Sequence, residues 1–183
     1  MKYGAIKYFD IANGPGARTC LFVSGCRHKC KGCFNFEAWD FNFGDEFTQD
    51  TEEEILKSLA PTYISGLSVL GGDPMEPENQ RGLVEFLEKV RNTYPEKSIW
   101  MYTGDIYEDL KDHTYSRRTE VTDRILNSLD VLVDGPWMED LYDITLRFRG
   151  SSNQRLIDMK KTREKGEVVL WEDEPIYATH HLN

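Results

Sequence analysis

Between residues 24 and 35 the chain reads Ser-Gly-Cys-Arg-His-Lys-Cys-Lys-Gly-Cys-Phe-Asn, which sets Cys26, Cys30 and Cys33 at Cys-x3-Cys-x2-Cys spacing. A loop this short brings three thiols to one metal centre without help from distant parts of the fold. The count is informative. A structural zinc site is usually closed by four protein ligands, whereas three thiolates on a four-iron cluster leave one iron free. Gly25 and Gly32 give the backbone the freedom to wrap a bulky centre. Arg27, Lys29 and Lys31 add positive charge around the thiols, which favours thiolate over thiol. Two readings follow from the spacing alone: an iron–sulfur loop with an open iron, which leads, and a zinc knuckle with His28 as fourth ligand.

Composition narrows the class. At 183 residues the chain fits a single domain with a proper core, and 39% hydrophobic and 12% aromatic content are ordinary for a globular protein. A formal net charge of -10 argues against nucleic-acid binding by phosphate neutralisation. No apolar run approaches the roughly 20 residues that span a bilayer, and residues 1–7 carry no apolar signal segment. The expectation is a cytoplasmic protein with no membrane partner. Three of the four cysteines crowd into one loop, which speaks against a secreted disulfide framework. The fourth, Cys20, lies in the apolar run Cys20-Leu21-Phe22-Val23 and reads as a small buried strand residue.

The pattern along the chain alternates strand and helix. Short apolar runs predict strands over 19–23, 67–70, 98–102 and 131–133, each followed by a glycine-bearing turn. Helical periodicity predicts helices over 51–60, 78–93 and 120–128, the first opened by a capping box from Thr51 to Glu54. Residues 34–47 read as an aromatic loop over the metal centre, 111–118 as a surface connection, and 167–171 as a last strand before a loose tail. Alternation of this kind predicts an α/β fold with a mostly parallel sheet, in which ligands sit at the C-terminal ends of the strands. The turns Gly71-Gly72-Asp73-Pro74, Thr103-Gly104-Asp105 and Asp134-Gly135-Pro136 all fall there, beside the cysteine loop. Each is also ordinary turn chemistry. The polar stretch Arg147, Arg149, Asn153, Gln154 and Arg155 reads as solvated surface or, more sharply, as a ligand clamp or docking face.

Taken in order, the cysteine loop, its lead-in Asn13-Gly14-Pro15-Gly16-Ala17-Arg18, Gly71-Gly72-Asp73-Pro74, Trp100-Met101-Tyr102-Thr103-Gly104, Val131-Leu132-Val133-Asp134-Gly135 and Arg149-Gly150-Ser151-Ser152-Asn153-Gln154 resemble the radical S-adenosylmethionine (SAM) enzymes that install glycyl radicals. Among these the chain is most similar to the branch acting on anaerobic ribonucleoside-triphosphate reductase. The resemblance runs from about residue 8 to 156 and leaves 157–183 as a C-terminal extension of one domain. It implies a partial, open (β/α) barrel. It also implies a 4Fe-4S cluster on Cys26, Cys30 and Cys33, and SAM held by Gly32, Cys33, Phe34, Gly71, Gly72 and Asp73. The implied partners are the large subunit of the reductase and an external donor such as reduced flavodoxin. Asp73 would offer its carboxylate to the SAM ammonium, although many relatives carry Glu there. Gly32 stands where many radical SAM enzymes have an aromatic residue, with the aromatic here at Phe34. A rival within the class is another radical SAM enzyme; a rival outside it is a metal-bearing binding module without catalysis.

Overall fold

A computed structural model describes residues 1–173. In chain order it contains β1 (Lys2–Asp10), β2 (Ala17–Val23), β3 (Asp45–Glu46), α1 (Gln49–Leu59), β4 (Ile64–Gly71), α2 (Pro77–Thr93), β5 (Ser98–Tyr102), α3 (Tyr107–Lys111), α4 (Thr122–Ser128), β6 (Val131–Asp134), β7 (Arg155–Asp158) and α5 (Met159–Lys165). They form one seven-stranded sheet in the order β3-β1-β2-β4-β5-β6-β7. The central neighbours β2, β4, β5 and β6 run parallel, and the outer pairings β1–β3, β1–β2 and β6–β7 are antiparallel. The sheet is therefore mixed: parallel in its centre, antiparallel at both edges. The reason is connection length. Only residues 11–16 separate β1 from β2, too few for the crossover that a parallel pair needs.

The parallel registers sort side chains onto two faces, because successive residues of a strand point opposite ways. Leu21, Val69, Met101 and Leu132 face the helices and join Ile55, Leu59, Leu83, Phe86, Leu87 and Ile125 in the main core. Burying each large apolar side chain contributes about 1.5–3 kcal/mol. On the other face Cys20, Ser68, Trp100 and Val131 form one row, and Phe22, Leu70 and Tyr102 begin the next. Trp100 packs there with Val131, Val133, Phe148 and Trp171. Beneath this second cluster lies Arg18, fully buried. Its guanidinium donates to Ser68 Oγ at 2.8 Å, Ser98 Oγ at 2.9 Å and the Leu67 carbonyl at 2.8 Å, and lies 5.5 Å from the Trp100 ring centroid. Burial pulls its pKa down to about 10, still well above neutrality.

Three local expectations change. The N-cap of α1 is Thr48, with Thr51 at the third helical position and buried, so the cap sits three residues earlier than the Thr-x-x-Glu pattern suggested. The two threonines satisfy each other's backbone N–H groups, Thr51 N–H to Thr48 Oγ1 at 3.3 Å and Thr48 N–H to Thr51 Oγ1 at 3.4 Å. The last strand is Arg155–Asp158 rather than 167–171, which supplies only a bridge from Leu170 to Ile157. Residues 34–47 hold a short 3₁₀ turn, Phe36–Trp39, and β3. The tail beyond 173 lies outside the described residues, among which no helix is long and apolar enough to cross a membrane.

Replacing Thr48 with Ala should lower the free energy of chemical unfolding by about 0.5–2 kcal/mol. Glu54→Ala, which removes only an exposed contact to Tyr8, should stay within about 0.5 kcal/mol of the parent. The reverse order would return the cap to Thr51.

Candidate active site

The C-terminal ends of β2, β4, β5 and β6 open onto one cavity of about 370 Å³. Cys26, Cys30, Cys33, Phe34, Gly71, Gly72 and Asp73 all line it, together with Thr103, Gly104 and Gly135 from the next two strands. Gly32 is not among the lining residues. Its φ is +72°, and a Cβ there would stand 2.8 Å from Glu139 Oε1, so glycine serves loop geometry at that position. Phe34 lines the cavity while remaining 87% exposed, with its ring edge-on to Trp137 at 6.4 Å.

A backbone clasp joins the cysteine loop to the Gly71-Gly72-Asp73 turn. The N–H of Gly72 donates to the Val23 carbonyl at 2.7 Å, and that of Asp73 to the Gly25 carbonyl at 2.8 Å. A Cβ on Gly72 would lie 2.5 Å from Gly25 O and 2.8 Å from Ala38 O, both backbone atoms that cannot yield. The paired glycines are thus required by the approach of the two segments. The N–H groups of Gly72 and Asp73 are thereby taken up by the end of β2 and the start of the cysteine loop.

Cys26 and Cys30 are not activated by Arg27 and Lys31. Arg27 is drawn away to Glu76 at 2.6 Å and Glu78 at 2.6 Å, and Lys31 pairs with Glu139 at 3.0 Å. Burial pushes the Cys26 thiol up to about 12, with the charge of Asp73 adding to it, although backbone N–H groups of His28 and Lys29 donate to its sulfur. Burial also raises Cys30, whose sulfur receives the N–H of Trp137. Metal loading therefore has to displace protons from Cys26 and Cys30. The donor set fits a cluster better than one zinc. Four sulfurs on tetrahedral zinc would lie roughly 3.8 Å apart, yet among the described residues the one trio with ligand atoms within 4.8 Å is His28, Asp73 and Asp105. Cys20 is fully buried in β2, its thiol pushed up to about 12 by burial, and supplies no fourth ligand. His28, the fourth ligand weighed for a zinc knuckle, has its Nε2 engaged by Asp73 Oδ2 at 2.6 Å.

The Asp73 carboxylate is heavily engaged by its neighbours. It is 1% exposed, and its Oδ2 also accepts from Thr103 Oγ1 at 3.1 Å, the Gly104 N–H at 3.1 Å and Arg117 at 3.3 Å, while Oδ1 accepts the Met75 N–H at 2.8 Å. The carboxylate ties the cysteine loop to the turns after β4 and β5 while also lining the cavity. Burial of His28 opposes its protonation, but the hydrogen bond and charge of Asp73 outweigh this and raise its pKa. Arg117 completes the group, reaching Glu76 at 3.1 Å and Asp105 at 3.1 Å as well as Asp73. Nothing in the sequence separated it from the surface connection around it; only tertiary structure turns it inward.

The remaining candidates divide. Thr103 lines the cavity, whereas Asp134 caps α3 through the Tyr107 N–H at 2.8 Å and pairs with Arg155. Arg155 continues to Glu108 at 2.6 Å. Gln154 Oε1 accepts the N–H groups of Gly150 and Ser151, and Asn153 donates to the Pro136 carbonyl. Arg147 pairs with Asp173. The basic stretch largely braces the walls, with Arg149 and Gln154 reaching the cavity lining.

Arg117 is 16% exposed among three buried carboxylates, so Arg117→Met should cost on the order of 3–5 kcal/mol in chemical unfolding at pH 7. Burial and the charge of Asp73 raise the Asp105 pKa above its ordinary value, so the folded state binds that proton more tightly than the unfolded chain. The Arg117 charge opposes that rise, so in the variant Asp105 takes up its proton at higher pH than in the parent, and the loss should shrink as the pH is lowered from 7. An equal loss at both pH values would remove charge from the explanation.

The chain resembles known proteins over most of its length. Residues 12–157 match a family described as a 4Fe-4S single cluster domain. Proteins named anaerobic ribonucleoside-triphosphate reductase-activating protein share 40% identity with the chain over 156 residues in Vibrio cholerae, covering 84% of this chain and 96% of that protein. The corresponding protein of Enterobacteria phage T4 is 40% identical over 156 residues, with 85% and 93% covered. That of Escherichia coli K12 is 41% identical over 156 residues, with 84% and 96% covered. On identity of this extent, the chain belongs to the family of anaerobic ribonucleoside-triphosphate reductase-activating proteins.

Proposed function

We propose that the chain uses SAM to install a glycyl radical on the large subunit of anaerobic ribonucleoside-triphosphate reductase. The observation that carries this reading is the convergence of three cysteines and three further strand-end turns on one cavity. Cys26, Cys30 and Cys33 would hold a 4Fe-4S cluster and leave one iron without a protein ligand. When bound, the cluster supplies the electron that splits SAM into methionine and a 5′-deoxyadenosyl radical, which takes hydrogen from a glycine Cα of the reductase.

The chain's own residues bind, orient and shield. The Gly71 and Gly72 carbonyls suit the ammonium of SAM, and Asp73 fixes His28, Thr103 and Gly104 around that end. Phe34, Trp137 and Phe148 wall the cavity and exclude water. No acid–base pair is required. All helices of the main core pack on one face of the sheet, which leaves the strand ends accessible to a macromolecular substrate. This arrangement supports the partial, open (β/α) barrel as the architecture. With Cys20 buried, no cysteine remains for a second cluster, so an external donor such as reduced flavodoxin is part of the proposal.

The test is anaerobic reconstitution with iron and sulfide, reduction by dithionite, and addition of SAM with and without the reductase. Methionine and 5′-deoxyadenosine should form in equal amounts, and a glycyl-radical EPR signal should appear on the reductase. Cys30→Ala should reduce both to background. Zinc without acid-labile sulfide, or SAM cleavage that leaves the reductase EPR-silent, would defeat the reading.

A further inference from the structure

Four buried side-chain polar atoms lack a hydrogen-bond partner among the described residues: Ser24 Oγ, Tyr102 Oη, Trp137 Nε1 and Asn153 Oδ1. Buried polar groups are nearly always paired, since an unmade bond inside a protein costs the desolvation of the group with no return. These four are not scattered. Ser24 follows β2, Tyr102 ends β5, Trp137 follows β6, and Asn153 precedes the antiparallel β7. All lie on the side of the sheet where the cavity opens, and Tyr102 and Trp137 line it.

Tyr102 shares its row of the inner sheet face with Phe22 and Leu70, which also line the cavity. Its hydroxyl is a buried, unpaired polar atom in a row whose other lining members are apolar. Trp137 is fixed from two sides. Its backbone N–H donates to Cys30 Sγ, and its ring packs against Phe34 and, at 5.4 Å, against Tyr142. The indole N–H cannot swing to solvent without breaking these contacts. Phe148, also in the lining, holds a φ of 58°, a conformation that a bulky residue adopts only at a cost. Unmade bonds and local strain thus gather in one apolar cavity, which is how a ligand site with a few orienting polar groups is built.

We infer that Tyr102 and Trp137 are SAM-binding residues, whose hydroxyl and indole N–H complete their hydrogen bonds on acceptor atoms of SAM. The inference rests on the radical SAM reading of the cavity. It assigns a recognition role to two groups that the cysteine and glycine motifs do not include.

The test uses cluster-loaded protein under anaerobic conditions, with Tyr102→Phe and Trp137→Phe as variants. Equilibrium dialysis of SAM should show each variant weakened about five- to twenty-fold, the effect of one hydrogen bond. Thermal unfolding without SAM should give Tyr102→Phe a midpoint equal to or above the parent, because the near-isosteric apolar ring leaves nothing unpaired. Dialysis of 5′-deoxyadenosine and of methionine then shows which half of SAM makes each bond. Loss of affinity in one variant alone keeps that residue and removes the other. Unchanged SAM affinity in both overturns the inference, and a lowered Tyr102→Phe midpoint removes Tyr102, each leaving the proposed function intact. A parent protein that binds no SAM takes both down together.

Discussion

Everything at the strand ends depends on how closely the Gly71-Gly72-Asp73 turn can approach the cysteine loop. Two backbone hydrogen bonds, to Val23 and Gly25, hold them together at a separation that excludes any side chain at residue 72. The clasp fixes where the loop leaves β2 and so where its thiols point. It also plants Asp73 beneath the loop, where His28, Thr103, Gly104 and Arg117 converge on one carboxylate oxygen. A turn that looks like simple punctuation in the sequence is a joint between two walls of the site.

Around that joint the protein concentrates charge. Asp73, Glu76 and Asp105 are nearly inaccessible, and Arg117 touches all three while Arg27 reaches Glu76 from the loop. Buried ion groups of this kind are weak contributors to net stability but intolerant of losing one member. Their use here is positional. They connect the loop, the turn after β4, the turn after β5 and the segment before α4, four pieces of chain far apart in sequence. Arg18 plays a different part on the opposite sheet face, a buried cation satisfied by serine hydroxyls and carbonyls.

The sequence was most legible where period and local chemistry act alone. The four central strands follow from short apolar runs, and the convergence of their glycine turns follows from parallel topology. The sheet edges were harder. β1 presents mostly exposed residues and carries no clean alternation, and β7 is a four-residue strand in a polar stretch. The cap of α1 was misplaced because Thr51 satisfies the local pattern, while burial of that residue is a tertiary fact. Basic residues flanking the cysteines suggested thiolate stabilisation, but acidic partners on α2 and after β6 draw Arg27 and Lys31 away. Arg117, Glu76, Tyr102 and Trp137 had no local signal. Their importance comes from what surrounds them, which one-dimensional spacing does not encode.

The main core lies wholly on the helix side of the sheet and includes none of the three loop cysteines. Folding and metal loading are therefore separable in this molecule: the scaffold that shapes the cavity is built from apolar packing, and the loop is an appendage clasped to it. An oxidant that strips iron and sulfide from the loop attacks the appendage and leaves the mould standing. A centre bound by such a loop would sit on a scaffold whose packing does not include its ligands.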